Sequence, residues 1–342
     1  MKSSRTDPAG TTQRCPAMGP GAAVRVGILG CSDIARRKFV PALGRCSSAV
    51  LTGVASSDPA KGAAIPSATH ASLMGYDELL SSPDVDLVYL SLPNHLHEEW
   101  TCRALQQGKH VICEKPLGLS VAAVDRMLDV AERAGRLLYE NLMFLHHPQH
   151  AAVHEVIASG QIGRVRTLRC VFGFPFPRPG DFRLDPALGG GAFHDLARYP
   201  LGTALHFFHG DSYRFHGFAL HHEGLTTAMH GCAATSAQEM LFFSIAFGQQ
   251  YECFYEIVGE QGKIRVDRAF TTPADLANRV NVTCGTQDRS FTVPPADHFQ
   301  LMLEHVCGLV MNGGSYTTAH ARARTIARLA GQMTQGCSHV EY

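Results

Sequence analysis

The chain has 342 residues, of which 45% are hydrophobic and 18% are charged. This length exceeds what one compact core usually needs, so we expect two domains. The 30 Lys and Arg residues balance 30 Asp and Glu residues, which leaves no electrostatic attraction to nucleic acid or to an anionic membrane. Neither is therefore an expected partner.

The N-terminal segment and the cysteines indicate the cellular setting. Residues 1–23 are polar and rich in Gly, Pro and Thr, so we expect a disordered extension there without the apolar stretch of a secretory signal. No apolar run approaches the roughly 20 residues that span a bilayer. Eleven cysteines without paired spacing indicate reduced thiols. We therefore expect a cytoplasmic protein.

Residues 24–145 alternate between short apolar runs and helical segments. The runs that predict buried strands are VRVGILG (24–30), AVLTGVASS (49–57), DLVYLSLP (86–93), HVICEKP (110–116) and RLLYEN (136–141). The segments that predict helices are 34–43, 76–80, 98–107 and 121–134. Strands and helices in this alternation predict a doubly wound parallel sheet, the α/β architecture of a Rossmann domain.

The pattern changes in residues 146–342. Strand-like segments follow one another at 164–174, 239–247, 251–258, 263–266 and 280–284. Helical segments are predicted at 154–159, 299–310 and 320–330. We expect an α+β domain with a large, mostly antiparallel open sheet and helices on one face.

The turn after the first strand indicates a dinucleotide. It contains Gly30, Cys31, Ser32, Asp33, Ile34, Ala35 and Arg36. Small residues at such a turn let backbone N–H groups and a helix N-terminus approach a pyrophosphate. The match to G-x-G-x-x-G/A is imperfect, with Ser32 and Ala35 at the second and third positions. A plain strand–helix turn in a protein that binds no nucleotide is the alternative.

The end of the second strand bears on the choice between NAD and NADP. Ser56 and Ser57 offer hydrogen bonds to a 2′-phosphate, and Arg36 and its neighbours supply cations. Asp58 is the counter-argument, because an acidic residue near this position binds the ribose hydroxyls of NAD. We favour NADP.

Three segments carry a resemblance to a known family. EKPLG (114–118), SLPNHLHEEW (91–100) and GGGAFHDLARYP (189–200) resemble the Gfo/Idh/MocA family of NAD(P)-dependent sugar oxidoreductases. ENLMFLHHPQH (140–150) and VDRAFTTP (266–273) are similar to its 3-ketoreductases, which act on dTDP-linked keto-deoxysugars in antibiotic biosynthesis. The resemblance implies an NADP-binding domain at 24–145 and a substrate-binding and oligomerisation domain at 146–342. The active site would lie in the cleft between them.

Lys115 and Tyr199 are the candidate catalytic residues. Lys115 ends a parallel strand, where such folds bind ligands, and can donate to a carbonyl oxygen. Tyr199 stands where the wider family commonly has histidine, four residues after Asp195. A phenol is mostly protonated at neutral pH and suits proton donation to a nascent alkoxide, which favours carbonyl reduction. A surface lysine and a packed tyrosine are the alternatives, and either residue could be the final proton donor.

The resemblance implies further positions. The residues expected beside the cofactor are Leu92, Pro93, Asn94, His97, Glu114, Lys115, Arg183 and Asp195. Those expected to contact substrate are Arg37, Lys115, Asp195, Tyr199, Tyr251 and Thr271. It also implies a cis peptide bond between Glu114 and Lys115. No metal is expected, because the histidines of residues 146–150 point to different faces and lack a carboxylate or thiol at ligand spacing.

These observations favour an NADPH-dependent reductase of the C3 keto group of a nucleotide-linked keto-deoxysugar, working as a homodimer or homotetramer. A dehydrogenase of free sugars, polyols or trans-dihydrodiols is an alternative from the same family. A regulator that binds NADP without turning it over is a third. The intact Lys115 and Tyr199 argue against the regulator.

Overall fold

The computed structural model describes residues 23–63, 65 and 71–342, so nearly all of the predicted disordered extension lies outside the described residues. The first domain contains six strands: β1 (Val24–Leu29), β2 (Ala49–Ala55), β3 (Ser72–Met74), β4 (Leu87–Leu90), β5 (His110–Cys113) and β6 (Leu138–Glu140). They form one parallel sheet in the order β3-β2-β1-β4-β5-β6. The winding direction reverses between β1 and β4, as in a Rossmann fold.

Helices connect these strands. Those of the first domain are a π-helical turn (Ala35–Phe39), α1 (Val40–Leu43), α2 (Pro59–Ala63), α3 (Tyr76–Ser81), α4 (His97–Gln106) and α5 (Val121–Ala134), with 3₁₀ turns at Asn94–Leu96 and Met143–His146. The bounds of α5 follow from its caps. The Ser120 side chain accepts from the Ala123 N–H at its start, and Gly135 ends it in the left-handed conformation, with φ of 61°.

The second domain is built on a nine-stranded sheet. Its strands are β7 (Val165–Phe174), β8 (Tyr213–His222), β9 (Leu225–Thr235), β10 (Met240–Phe247), β11 (Glu252–Gly259), β12 (Gly262–Asp267), β13 (Asn278–Cys284), β14 (Gln287–Val293) and β15 (Cys337–Glu341). Their order is β14-β13-β12-β11-β7-β10-β9-β8-β15. Within the described residues of this sheet, only β7 with β10 and β15 with β8 pair in parallel, and the other neighbours are antiparallel. The predicted fold class is confirmed.

The helices of the second domain are α6 (Pro148–Ala158), α7 (Ala192–Leu196), α8 (Arg198–Phe207), α9 (His298–Asn312) and α10 (Thr317–Gln335), with 3₁₀ turns at Phe182–Leu184 and Pro186–Leu188. α9 packs on the parallel sheet, where Phe299 and Met302 join a core with Ile28 and Phe39. α8 and α10 instead join the core of the large sheet. No helix in the described part of the chain is long and apolar enough to cross a membrane.

Several elements differ from the sequence prediction. β3, β8, β9, β14, β15 and the short helix α2 were not predicted. β8 and β9 contain many His, Gly and small residues, so their alternating burial is weakly visible in the letters. α6 starts at Pro148, six residues before its predicted start. Proline suits the first helical position because it needs no N–H partner there, and the His147 side chain caps the helix by accepting from Gln149 N–H.

Candidate active site

The carboxyl ends of the parallel strands bring the predicted site residues to one edge. Gly30 follows β1, Ser56 follows β2, Leu92 lies just after β4 and Glu114 follows β5. Because all six strands run in the same direction, these residues line the crevice where doubly wound sheets bind ligands.

The turn after β1 is closely packed against the next loop. Gly30 has φ of +92°, and a Cβ atom there would lie 2.8 Å from the Leu92 side chain and 3.0 Å from the Ser91 carbonyl oxygen. The Ser91 hydroxyl donates to the Gly30 carbonyl at 2.6 Å. The Ser32 hydroxyl accepts from the Ala35 N–H at 3.1 Å and so caps the first helical turn. Gly30 exposes its backbone without a side chain, and a helix N-terminus lies at the same edge of the sheet. This arrangement fits the pyrophosphate of a dinucleotide.

The residues after β2 are arranged around a helix cap. The Asp58 carboxylate accepts from the Ala60 N–H at 3.0 Å and from the Lys61 N–H at 3.4 Å, both at the start of α2. The Ser56 hydroxyl accepts from the Asp58 N–H at 3.2 Å, and Ser57 is exposed. Both hydrogen bonds go to Asp58 Oδ1, so the helix cap engages one of the two carboxylate oxygens with which an NAD-type acid binds ribose.

His97 joins two loops of the site. Its ring nitrogens lie 2.8 Å from the Pro116 carbonyl oxygen and 2.9 Å from the Leu92 carbonyl oxygen. Burial lowers the pKa of His97. In the same region Asn94 donates to the Gly189 carbonyl at 2.8 Å, which ties the first domain to the glycine-rich loop of the second. Pro93 precedes that contact as the residue before a 3₁₀ turn.

Glu114 accepts hydrogen bonds from three directions. Its Oε1 lies 2.5 Å from the Tyr89 hydroxyl and 2.6 Å from the Asn141 amide nitrogen, and its Oε2 lies 3.3 Å from the Lys115 N–H. The cis peptide bond lies between Lys115 and Pro116, and not between Glu114 and Lys115 as expected. The X-Pro bond is the one for which the cis form costs little.

Lys115 is held by Asp195. Its ammonium lies 2.5 Å from Asp195 Oδ1 and 2.8 Å from the Asp195 backbone oxygen. Arg183 donates to the second carboxylate oxygen at 3.1 Å and also pairs with Asp181. Burial lowers the pKa of Lys115, but the Asp195 carboxylate outweighs it and the pKa is raised. For Asp195 burial raises the pKa, but Lys115 and Arg183 outweigh it and the pKa is lowered. Both groups are therefore charged at neutral pH.

Tyr199 lies beside this charged group in an aromatic setting. Its ring centre is 5.4 Å from the Lys115 ammonium and 4.8 Å from the Phe172 ring. Burial raises the pKa of Tyr199 to about 12, against the opposing effect of Lys115. Within the described residues its hydroxyl has no hydrogen-bond partner, so it is a protonated donor available to a ligand.

The helix that carries these residues is divided at Ala197, so that Asp195 lies on α7 and Tyr199 on α8. Arg183 is brought to the carboxylate by the glycine-rich loop. Gly191 donates its N–H to the Arg183 carbonyl at 2.8 Å. A Cβ atom on Gly190 would lie 2.6 Å from the same oxygen, so a side chain there would displace the arginine segment.

Tyr251 and Thr271, two of the predicted substrate residues of the second domain, contact each other. The Tyr251 hydroxyl and Thr271 Oγ1 are 2.6 Å apart, and the Tyr251 ring lies 6.5 Å from Phe172, which contacts Tyr199. The exposed Arg268 has its guanidinium carbon 5.6 Å from the Tyr251 ring centre. Arg37 is exposed on the first helical turn of the other domain, and no contact with Lys115 or Tyr199 connects it to this group in the described residues.

Several histidines form a partly buried cluster, exposed at His154 and His305, without the arrangement of a metal site. Its members are His146, His147, His150, His154, His206, His298 and His305. His146 lies 2.7 Å from the Tyr139 hydroxyl, and His150 lies 3.0 Å from the Tyr255 hydroxyl. Across the described ranges, no group of three or more His, Cys, Asp or Glu side chains is placed to hold a metal ion.

Sequence reasoning missed the residues that support the site. Tyr89 and Asn141 bind Glu114, Asp181 binds Arg183, and Arg198 pairs with Glu140. Asn141 and Glu140 lie at the carboxyl end of β6, the same edge as Lys115. Their position at the carboxyl end of a predicted strand was the feature of the sequence that could have identified them as site residues.

Two family models match the chain. The model described as "Oxidoreductase family, NAD-binding Rossmann fold" covers residues 24–142. The model described as "GFO/IDH/MocA C-terminal domain" covers residues 150–265. The chain belongs to the Gfo/Idh/MocA family of oxidoreductases. The predicted resemblance is thereby confirmed.

Individual members of the Gfo/Idh/MocA family are similar to this chain over most of its length. The chain is 36% identical over 296 residues to a dTDP-3,4-didehydro-2,6-dideoxy-alpha-D-glucose 3-reductase from Actinomadura kijaniata, covering 85% of this chain and 88% of that protein. A protein of the same name from Saccharopolyspora spinosa is 36% identical over 74% of this chain and 77% of its own length. The crystal structure of KijD10, a 3-ketoreductase from A. kijaniata in complex with NADP and TDP-benzene, matches with a TM-score of 0.89 at 31% identity, covering 94% of this chain and 99% of that chain.

Proposed function

We propose that this protein uses NADPH to reduce the C3 keto group of a nucleotide-linked keto-deoxysugar, of the dTDP-3,4-didehydro-2,6-dideoxy-glucose type. The observation that carries the proposal is the protonated phenol of Tyr199, whose ring centre lies 5.4 Å from the Lys115 ammonium and whose hydroxyl has no hydrogen-bond partner among the described residues. The similarity to the 3-reductases supports it. Solved structures of KijD10 include variants with a replaced lysine and a replaced tyrosine, separated by the same number of residues as Lys115 and Tyr199.

Tyr199, Lys115 and Asp195 have different roles in the proposed reduction. NADPH supplies, when bound, the hydride that adds to C3. Tyr199 donates its phenolic proton to the oxygen at C3, so the carbonyl gains one hydride and one proton and becomes the secondary alcohol. The Lys115 ammonium stabilises the negative charge that develops on the phenol, and Asp195 keeps Lys115 protonated. Tyr199 is the proposed donor because hydrogen bonds to Asp195 already engage the Lys115 ammonium.

The preference for NADP rests on the residues after β1 and β2. The turn from Gly30 to Ala35 would hold the pyrophosphate, and Ser56 and Ser57 the 2′-phosphate, with the cation of Arg36 nearby. The engagement of Asp58 as the cap of α2 supports this choice. Leu92, Asn94 and Lys115 would lie on the nicotinamide side. KijD10, in the solved structure, holds NADP.

A coupled reaction tests the proposal. dTDP-4-keto-6-deoxyglucose and a 2,3-dehydratase would generate the unstable diketo-sugar in place, and the absorbance of NADPH would be followed. We expect rapid oxidation of NADPH that requires the dehydratase, slower oxidation of NADH, and a product of the mass of the 4-keto-2,6-dideoxy sugar. Tight NADPH binding without turnover would reject this substrate. Free sugars, polyols and trans-dihydrodiols would then be tested, and turnover of none of them would favour a regulator.

We also propose that the exposed face of the large sheet joins two or more copies of the chain. Phe218, Phe242 and Val340, on β8, β10 and β15, are 58%, 43% and 41% exposed; β15 is next to β8, and β9 separates β8 from β10. Apolar groups clustered in this way favour burial against a second copy. Light scattering after size exclusion should give a dimer or tetramer. Phe218→Glu should lower the mass, and Leu73→Glu, an equally exposed residue on β3, should not.

A cytoplasmic location is proposed from the thiols. Ten cysteines in the described residues are all free, and seven of them are buried apolar groups of the two domains. Reduced thiols of this kind are typical of cytosolic proteins. Fractionation of the source cells should place the protein with soluble cytosolic enzymes, and recovery from the secreted fraction would contradict the proposal.

A further inference from the structure

A buried ion pair lies directly behind the candidate catalytic residues. Arg198 Nε is 3.3 Å from Glu140 Oε1, and each side chain is only 4% exposed. Arg198 immediately precedes Tyr199 on α8, whereas Glu140 ends β6 of the other domain. The pair therefore links the helix that carries the tyrosine to the sheet that carries the lysine.

The same two side chains also hold the backbone that follows Lys115. Glu140 Oε1 accepts from the Leu117 N–H at 2.9 Å, and Arg198 Nη2 donates to the Gly118 carbonyl at 3.2 Å. On the other side of Lys115, Asn141 holds the Glu114 carboxylate at 2.6 Å. The segment with the cis Lys115–Pro116 bond is thus fixed at both ends by groups from β6 and α8.

Stability does not account for this pair. Replacing a buried ion pair by apolar side chains of similar volume is often neutral or stabilising. Here the remaining Arg198 nitrogen, Nη1, is buried and has no partner within the described residues, which is itself unfavourable. A costly arrangement located between the two candidate catalytic residues indicates a role in their geometry.

We propose that Arg198 and Glu140 are positioning residues, which fix the Lys115 ammonium relative to the Tyr199 hydroxyl across the domain boundary. This inference rests on the proposed function for its kinetic test. Displacement of a catalytic group by about 1 Å can cost on the order of 100-fold in rate, so loss of the pair should act on kcat. Neither side chain is a proposed ligand of sugar or cofactor, so KM and the Kd for NADPH should stay close to wild type.

Three variants distinguish a role of the ion pair in positioning Lys115 from a role in stabilising the fold. Arg198→Met leaves Glu140 buried without its partner and is expected to lower the melting temperature. The double variant Arg198→Met with Glu140→Met removes both charges and should recover part of that loss, since only the Leu117 N–H and the Gly118 carbonyl then lack their partners. Arg25→Met is the control, because Arg25 pairs with Asp86 at 2.7 Å near the amino end of β1, at the sheet edge opposite Lys115.

We expect kcat to fall about 100-fold in both the single and the double variant, with the double variant more stable than Arg198→Met and the control fully active. Recovery of kcat together with stability in the double variant would show a purely structural role and overturn the inference. So would a wild-type kcat in Arg198→Met.

A second readout needs no substrate. Competitive labelling with acetic anhydride, read by peptide mass spectrometry, reports how reactive the Lys115 amine is. If the pair holds Lys115 against Asp195, labelling should rise several-fold in both Arg198 variants and not in Arg25→Met. Unchanged labelling would count against the inference. If wild type turned over no nucleotide sugar, the proposed function would fail, and this labelling alone would decide the role of Arg198 and Glu140.

Discussion

The Lys115 ammonium is bound twice by Asp195, once by its carboxylate at 2.5 Å and once by its backbone oxygen at 2.8 Å. The two residues come from different domains, one after β5 and the other on α7. Because the carboxylate sits opposite the ammonium, the lysine remains a cation although it is buried. A fixed cation beside a neutral phenol suits the stabilisation of charge that develops as the phenol gives up its proton.

Asp195→Asn should expose the dependence of Lys115 on this carboxylate. The carboxylate raises the pKa of Lys115 and burial lowers it, so loss of the charge should lower the pKa. Since the cation is the active form, kcat should fall about tenfold per pH unit above the new pKa. The pH profile from about pH 6 to about pH 10 would show a basic limb at lower pH than in wild type.

Asp181→Asn is the matched control for that profile. Asp181 pairs with Arg183 and makes no contact with Lys115 among the described residues. Its variant should keep the wild-type basic limb. An Asp195→Asn profile that overlays wild type would contradict the role given to this carboxylate.

Tyr199→Phe should separate catalysis from packing. Removal of a general acid typically costs roughly 10²- to 10⁴-fold in kcat. The ring of the variant still packs against Phe172, and the lost hydroxyl has no hydrogen bond to another described residue, so stability should be unchanged. Rapid-mixing measurement of NADPH oxidation, together with a melting curve, would check both parts.

Tyr255→Phe provides the opposite control. The Tyr255 hydroxyl is 3.0 Å from His150 in the core, and Tyr255 is not among the proposed ligand contacts. Its loss should cost about 1 kcal/mol of stability and leave kcat near wild type. If both tyrosine variants lost activity equally, a specific proton-donor role for Tyr199 would not stand.

The sequence predicts the parts of the site that lie at strand ends. Lys115 and Ser56 are recognisable because each follows a continuous apolar run, and parallel strands place such positions at one edge. Tyr199 was singled out by its distance from Asp195 within a family-like segment. The break in the helix at Ala197 was not visible, since Ala is a strong helix former.

Long-range pairs could not be predicted in the same way. Arg198 and Glu140 are 58 positions apart, and in the sequence each looks like an ordinary charge on a surface helix or strand end. The strands β8 and β9 were missed for a related reason. Their His and Gly residues are stabilised by neighbours in a nine-stranded sheet, and such tertiary packing overrides weak local preference.

The histidine cluster predicts a loss of stability in mild acid. Burial lowers the pKa of His206 to about 4 and that of His146 to about 3, below the value of 6.5 that applies when the chain is unfolded. The unfolded state therefore binds more protons between pH 6.5 and about 4, and stability falls as pH falls through that range. Denaturation midpoints measured at several pH values should show this slope.

His206→Phe should flatten that slope by about one proton, because the variant removes one group that titrates on unfolding. The new ring would pack against Phe207, which already contacts His206. His216→Phe, at an exposed position on β8, should leave the slope unchanged. An identical slope for His206→Phe and wild type would show that this histidine does not contribute.

Gly30→Ala should disrupt cofactor binding at the turn after β1. Alanine disfavours a φ of +92°, and its Cβ would press on Leu92 and on the Ser91 carbonyl. Strain of this kind costs of order 1–3 kcal/mol, so the Kd for NADPH should rise about tenfold or more. Quenching of the fluorescence of Trp100, the one tryptophan of the chain, or the fluorescence of NADPH would measure this Kd.

Gly308→Ala is the control. Gly308 lies inside α9 with open space around its Cβ, so this variant should bind NADPH normally and be more stable by about 1 kcal/mol. Unchanged NADPH affinity in Gly30→Ala would place the pyrophosphate away from this turn.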